Sequence, residues 1–265
     1  MKGVLIRAIT GIILLAIIGL VIFGSRLSLL ALVLVISCIG IVELFDALRR
    51  NEPKYIIFLT LFANILIQWF AYQHKSEHML AVIALFLLMN FVIYTFRKEF
   101  NLNDLFIALV GVIYVSVLFS FLLLLPAENE LVLLLVFVAA WGTDTFAFVW
   151  GMLLGKTPLA PTISPKKTVE GAVGGTISAV ILAFILQANL YSDYDVIAIL
   201  SAVFLASIMS QVGDLFASRL KREVGVKDFG WVLLGHGGIL DRFDSILFAA
   251  PTIWFALRLL SNIGV

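Results

Sequence analysis

Long apolar blocks separated by short polar loops dominate this chain. Blocks of about 18–25 residues predict membrane-crossing helices. They predict about nine spans, at Val4–Phe23, Leu27–Leu48, Tyr55–Tyr72, Met79–Phe96, Leu105–Leu125, Leu131–Leu154, Val169–Leu190, Val196–Leu220 and Phe243–Leu260. No soluble domain fits between them. The expected architecture is an all-α, polytopic transmembrane helical bundle. Residues 1–126 are expected to form a five-span scaffold, and residues 127–265 a four-span region with polar loops 155–168 and 221–242.

Charge placement checks the span count independently. With an odd number of spans, one side carries Lys2, Arg7, Arg49, Arg50, Lys54, Arg97, Lys98, Lys156, Lys166, Lys167, Arg219, Lys221, Arg222, Lys227 and Arg242, fifteen of the eighteen basic residues. The other side keeps Arg26, Lys75 and Arg258, and two of its loops are purely acidic, Glu128 with Glu130 and Asp193 with Asp195. Basic loops mark the cytoplasmic side. The N-terminus and both polar loops are therefore expected in the cytoplasm, with the C-terminus on the opposite side.

Composition agrees: 62% of residues are hydrophobic and 13% charged, and mean hydropathy is +1.12. A soluble domain of this length does not hide so much apolar surface. Lys2 and Arg7 precede the first apolar block, but no small-residue cleavage motif follows it, so a retained span is expected rather than a signal peptide. The single cysteine, Cys38, lies within an apolar run and makes neither an intrachain disulfide nor a metal site.

Against this background, Asp214–Asp244 stands out, holding ten of the thirty-five Asp, Glu, Lys and Arg residues. On the eighth span Ser207, Gln211, Asp214, Ser218 and Lys221 fall on one helical face. Such a stripe must face a cavity or a protein interior, because unsatisfied polar groups in hydrocarbon cost several kcal/mol; interhelical hydrogen bonding is the bland alternative. Asp144, flanked by Thr143 and Thr145, is more than ten residues from Glu130 and from Lys156. It needs a partner, either a metal, a basic side chain or a structural ion pair, because an aspartate within a span costs about 2.5–3.5 kcal/mol.

The segment Ser164-Pro-Lys-Lys-Thr-Val-Glu-Gly171 predicts a helix entrance, with Ser164 as N-cap and Pro165 in the first turn. Lys166 and Lys167 then sit at the wrong end of the helix dipole unless an anion binds there; an ordinary basic pair with Lys166–Glu170 at i, i+4 is the alternative. In His236-Gly-Gly-Ile-Leu-Asp-Arg-Phe-Asp244, successive N–H groups have the spacing to cradle phosphate oxygens, while Asp241 and Asp244 also suit helix capping. Glu43 and Asp46 find sufficient partners in Arg49 or Arg50.

These blocks, in this order, resemble the CDP-diacylglycerol synthase (phosphatidate cytidylyltransferase) family. The family signature is matched by Ser218, Leu220, Lys221-Arg222, Lys227-Asp228, His236-Gly237-Gly238, Asp241-Arg242 and Asp244, and upstream by Asp144-Thr-Phe-Ala-Phe, Ser164–Gly171 and Gly213-Asp214-Leu. The resemblance covers about Trp141 to Ser245; the first five spans share only hydropathy. One position departs: Leu234 stands where the family has proline, which loosens the turn but removes no charged or ligating group.

The resemblance implies an inner-membrane nucleotidyltransferase, with its active site facing the cytoplasm, that condenses CTP with phosphatidate to CDP-diacylglycerol and pyrophosphate. It implies Mg²⁺ or Mn²⁺ on Asp214 and Asp241, with Asp144 a weaker member of the set and room for a second cation. Asp214, Asp241 and Lys167 carry the catalytic roles. Ser164, Lys166, Lys167, Ser218, Lys221, Arg222, Lys227, His236, Gly237, Gly238 and Arg242 are expected around the substrates. The bilayer is the other partner, a homodimer is compatible, and no nucleic acid is implied. Two rivals predict different products: a CTP-dependent lipid-alcohol kinase, and a cation- or proton-coupled transporter.

Overall fold

The computed structural model describes residues 19, 24–48, 54–125, 132–190, 195–232 and 237–261. The predicted first span (apart from Gly19), Arg49, Arg50, Leu234 and His236 lie outside the described residues. Among those described, eight helices are long and apolar enough to cross a membrane, and the chain is an all-α, polytopic membrane protein. It divides into two units. One comprises Met1–Ala127 with Val226–Arg242, the other Glu128–Gly225 with Phe243–Val265. The segment 226–242 falls in the same unit as the N-terminal spans.

The first unit contains α1 (Arg26–Leu48), α2 (Lys54–Tyr72), α3 (Ser76–Phe96) and α4 (Leu102–Leu124). Asn101 and Asp104 form a reciprocal capping box at the start of α4, which satisfies two otherwise orphaned N–H groups. Its apolar core includes Val33, Ile41, Leu44, Phe45, Ile67 and Phe119. A polar ladder crosses that core: Asn64 Nδ2 donates to Ser37 Oγ at 2.9 Å, and Gln68 Nε2 donates to Asn64 Oδ1 at 3.0 Å and to the Ser116 carbonyl at 2.8 Å. That carbonyl lies in a π-helical stretch of α4, Gly111–Val117, where the widened turn leaves backbone groups for side chains to satisfy.

The second unit contains α5 (Val132–Leu154), a hairpin of β1 (Pro158–Ala160) and β2 (Ser164–Thr168), α6 (Val169–Leu190), α7 (Val196–Glu223) and α8 (Leu240–Ser261) from Phe243 onward. Small residues let α5 and α6 approach closely. A Cβ on Gly171 would lie 2.6 Å from the Ala147 carbonyl oxygen, and one on Gly175 2.6 Å from that of Thr143. Without a hydrophobic force between helices in lipid, such backbone proximity is what holds them together. At the start of α7, Asp195 caps the N–H groups of Ile197 and Ala198.

Candidate active site

Ser164 does not begin a helix. Residues Ser164–Thr168 form β2, antiparallel to β1 with Ala160 opposite Ser164 and Pro158 opposite Thr168. The N-cap of α6 is Thr168, whose Oγ1 accepts the Gly171 N–H at 3.2 Å. Electrostatics explains the correction. A strand removes Lys166 and Lys167 from the positive end of the helix dipole and leaves Glu170 there instead, the favourable sign. Nor does Glu170 reach Lys166 at i, i+4: its carboxylate accepts the N–H groups of Lys156 and Thr157 at 3.0–3.2 Å, tying β1 to α6.

The hairpin hangs its lysines over a cavity of about 450 Å³ in the second unit, and Asp144, Ser164, Lys166, Lys167, Gln211 and Asp214 line it. Lys167 Nζ is ion-paired with Asp214 Oδ2. Asp144 reaches its place after a π-helical stretch, Val138–Gly142, whose Ala139 carbonyl accepts the Ser210 hydroxyl at 3.0 Å. Its Oδ2 accepts the Ser245 hydroxyl at 2.9 Å. Asp144, Asp214 and the buried Asp244 are near enough to repel one another, while Lys167 and Lys221 offset that repulsion.

The stripe on α7 faces inward as its spacing predicts. Ser207 is fully buried and Gln211, Asp214, Ser218 and Lys221 are partly so, whereas Phe204, Leu205, Ile208, Met209, Val212 and Phe216 are exposed. One of its deeper members, Gln211, serves as interhelical adhesive. Gln211 Nε2 donates to Thr176 Oγ1 at 2.9 Å and to the Ala172 carbonyl at 3.3 Å. The basic residues Lys221 and Arg222 occupy the last turn of α7, where the dipole favours them.

The other predicted group, Lys227, Gly237, Gly238, Asp241 and Arg242, lies in the first unit. Its backbone N–H groups are not a free cradle. Gly238 and Phe229 donate to Asp241 Oδ2 at 2.9 and 2.8 Å, and Ile239 and Leu240 donate to the two oxygens of Glu43 at 2.9 and 3.0 Å. Gly237 needs its freedom, since its φ is +82°. Glu43 escaped the sequence because its partners are backbone groups almost two hundred positions away. Ser245 escaped for a milder reason: a serine after a motif aspartate carries no signal of its own.

Each acid here offers hard oxygen ligands of the kind Mg²⁺ prefers. Among the described residues no group of three or more His, Cys, Asp or Glu side chains is placed to hold a metal ion. Asp144 and Asp214, which line one cavity, fit a cation held by one or two carboxylates and completed by substrate phosphates.

The family model of the cytidylyltransferase family matches residues 5–260. The chain belongs to that family. This cytidylyltransferase is 34% identical over 240 residues to the phosphatidate cytidylyltransferase of Bacillus subtilis, covering 86% of this chain and 89% of the relative. It is 33% identical over 246 residues to that of Staphylococcus aureus, with 90% and 95% covered, and 31% identical over 254 residues to that of Staphylococcus epidermidis, with 94% and 96% covered. The likeness thus extends through the N-terminal spans of the cytidylyltransferase, beyond the motifs visible in its C-terminal half.

Proposed function

We propose that this cytidylyltransferase condenses CTP with phosphatidate to give CDP-diacylglycerol and pyrophosphate. The observation that carries the reading is the cavity in which Lys166 and Lys167 face Asp144 and Asp214, in a chain similar over most of its length to phosphatidate cytidylyltransferases. A phosphate oxygen of the lipid attacks the α-phosphorus of CTP. The new P–O bond forms as the bond to the β-phosphate oxygen breaks, and pyrophosphate leaves.

A phosphate monoester is already anionic near neutral pH, so the step calls for no strong base. Repulsion is the obstacle: two unit charges about 4 Å apart cost roughly 1 kcal/mol in water and about 4 at a partly buried effective dielectric. Lys166 and Lys167 supply the compensating charge and hold the phosphates in line, so catalysis is chiefly positioning and neutralisation. Lys221 and Arg222, at the end of α7, serve the same phosphates. Because Asp144 and Asp214 line one cavity, Mg²⁺ on these two, in place of the expected pair Asp214 and Asp241, would neutralise the phosphates further when bound. Asp241, Arg242 and Lys227 match the family signature and are assigned to phosphate handling on that ground, and the acyl chains remain in the bilayer. The expected grouping of fifteen basic residues on one side supports a cytoplasmic site in the inner membrane.

Labelled CTP tests the reading in reconstituted vesicles. Label in the α-phosphate should enter the lipid and label in the γ-phosphate should not. γ-Label in the lipid would indicate a kinase, and no label from either position would leave a transporter.

A further inference from the structure

We propose that Glu43 is a positioning residue: a buried carboxylate on α1 that fixes the segment Val226–Leu240 and thereby aims Asp241, Arg242 and Lys227. This rests on the role given to those three residues above. It assigns the N-terminal spans a task beyond scaffolding.

Four observations carry it. Glu43 is only 4% exposed, yet both of its carboxylate oxygens are used, one on the Ile239 N–H and one on the Leu240 N–H. These belong to the start of α8, where N–H groups lack partners within the helix. Second, Gly230 and Gly238, on opposite sides of the loop, both abut this carboxylate so closely that a Cβ on either would displace it. The described residues on both sides of the loop therefore meet at the acid. Third, Asp241 ties the same loop from within, through the N–H groups of Phe229 and Gly238. Fourth, Leu240 packs its side chain against Gly40, one turn before Glu43 on α1, where a Cβ would lie 3.1 Å from it.

A neutral isostere cannot reproduce this. In glutamine one oxygen becomes an NH₂, a donor facing an N–H donor, so one of the two bonds is lost and the pair is set against each other. Outer residues that orient a functional group typically change activity by about 10–100-fold when removed.

The test is Glu43→Gln in the full-length protein, with hydrogen exchange and steady-state kinetics measured on one sample in detergent micelles. The expected result is faster exchange confined to 226–240, with α5–α7 as protected as in the wild type. The kcat should fall about 10–100-fold, while KM for CTP stays within about twofold, as when an interaction acts in the transition state. Gly238→Ala, which presses a methyl group onto the same carboxylate without removing its charge, should give the same signature. Wild-type kcat with unchanged exchange would overturn the proposal. So would loss of protection across all helices in both variants, which would make Glu43 a folding element only. If the wild type itself attaches no cytidylate to lipid, the reading of the site fails, and the exchange data still decide whether Glu43 fixes the segment.

Discussion

Two regions of this membrane protein hold carboxylates, and they satisfy them differently. Around the segment 226–242, Glu43 and Asp241 are bonded by backbone N–H groups of four residues. In the cavity beneath the hairpin, Asp214 and Asp144 are met by side chains, the Lys167 ammonium and the Ser245 hydroxyl. The distinction is one of exchangeability. A backbone amide cannot turn away without unfolding its loop, so an acid held that way is committed to geometry. A lysine on four rotatable bonds can transfer from carboxylate to phosphate. The first arrangement sets shape, and the second is suited to binding charge.

The largest effect should come from Asp214→Asn. It removes the charge opposite Lys167 and one of the two carboxylates proposed to hold the divalent ion. Transfer of cytidylate to phosphatidate should fall about 100- to 1,000-fold, the scale for removing a single electrostatic element from a reacting centre, with hydrogen exchange unchanged. Wild-type transfer in this variant would remove the chemical role from the cavity altogether.

Lys167→Met comes next. Losing one charge-assisted contact to phosphate costs about 1.5–3 kcal/mol, so kcat/KM should fall about 10–100-fold. Combined with Asp214→Asn, the losses should not add, because the two residues share one interaction and one ligand. Full additivity in the double-mutant cycle would show that they act separately.

The eight described spans were legible because the bilayer imposes length and apolarity, which survive in any sequence. The α7 stripe was legible because a helix repeats every few residues and lipid punishes a misplaced Gln211 or Asp214. The hairpin was not. Ser164-Pro-Lys-Lys satisfies the local rules for a helix start, and only the unfavourable dipole at Lys166 and Lys167 pointed against it. The pairing of β2 with β1 settles the matter through contacts that no local rule contains. The α5–α6 contact was not read from the sequence: Gly171 and Gly175 meet Ala147 and Thr143, partners identifiable only in three dimensions. Gly175→Val should test it. The added bulk meets the Thr143 carbonyl, and overpacking of this kind costs about 1–3 kcal/mol. Thermal unfolding in detergent should register that loss, and turnover should fall with it because Thr143 precedes Asp144. An unaltered midpoint would show that α5 and α6 have slack between them.

The smallest effect should come from Glu170→Gln, which bears on whether the hairpin belongs to the geometric or to the charge-binding class. Glu170 uses its carboxylate as Glu43 does, on backbone N–H groups, here those of Lys156 and Thr157 at the root of β1. Unlike Glu43 it is partly open to solvent, so water can replace much of what the amide loses. The hairpin should therefore loosen without unfolding, carrying Lys166 and Lys167 over a wider range of positions. KM for CTP should rise a few-fold while kcat changes less, because the lysines still reach the phosphates once the nucleotide is held. A kcat loss as deep as that of Lys167→Met would instead mean that the hairpin must be held rigid for the lysine to act, and the contrast between the two kinds of carboxylate would no longer divide shape from charge.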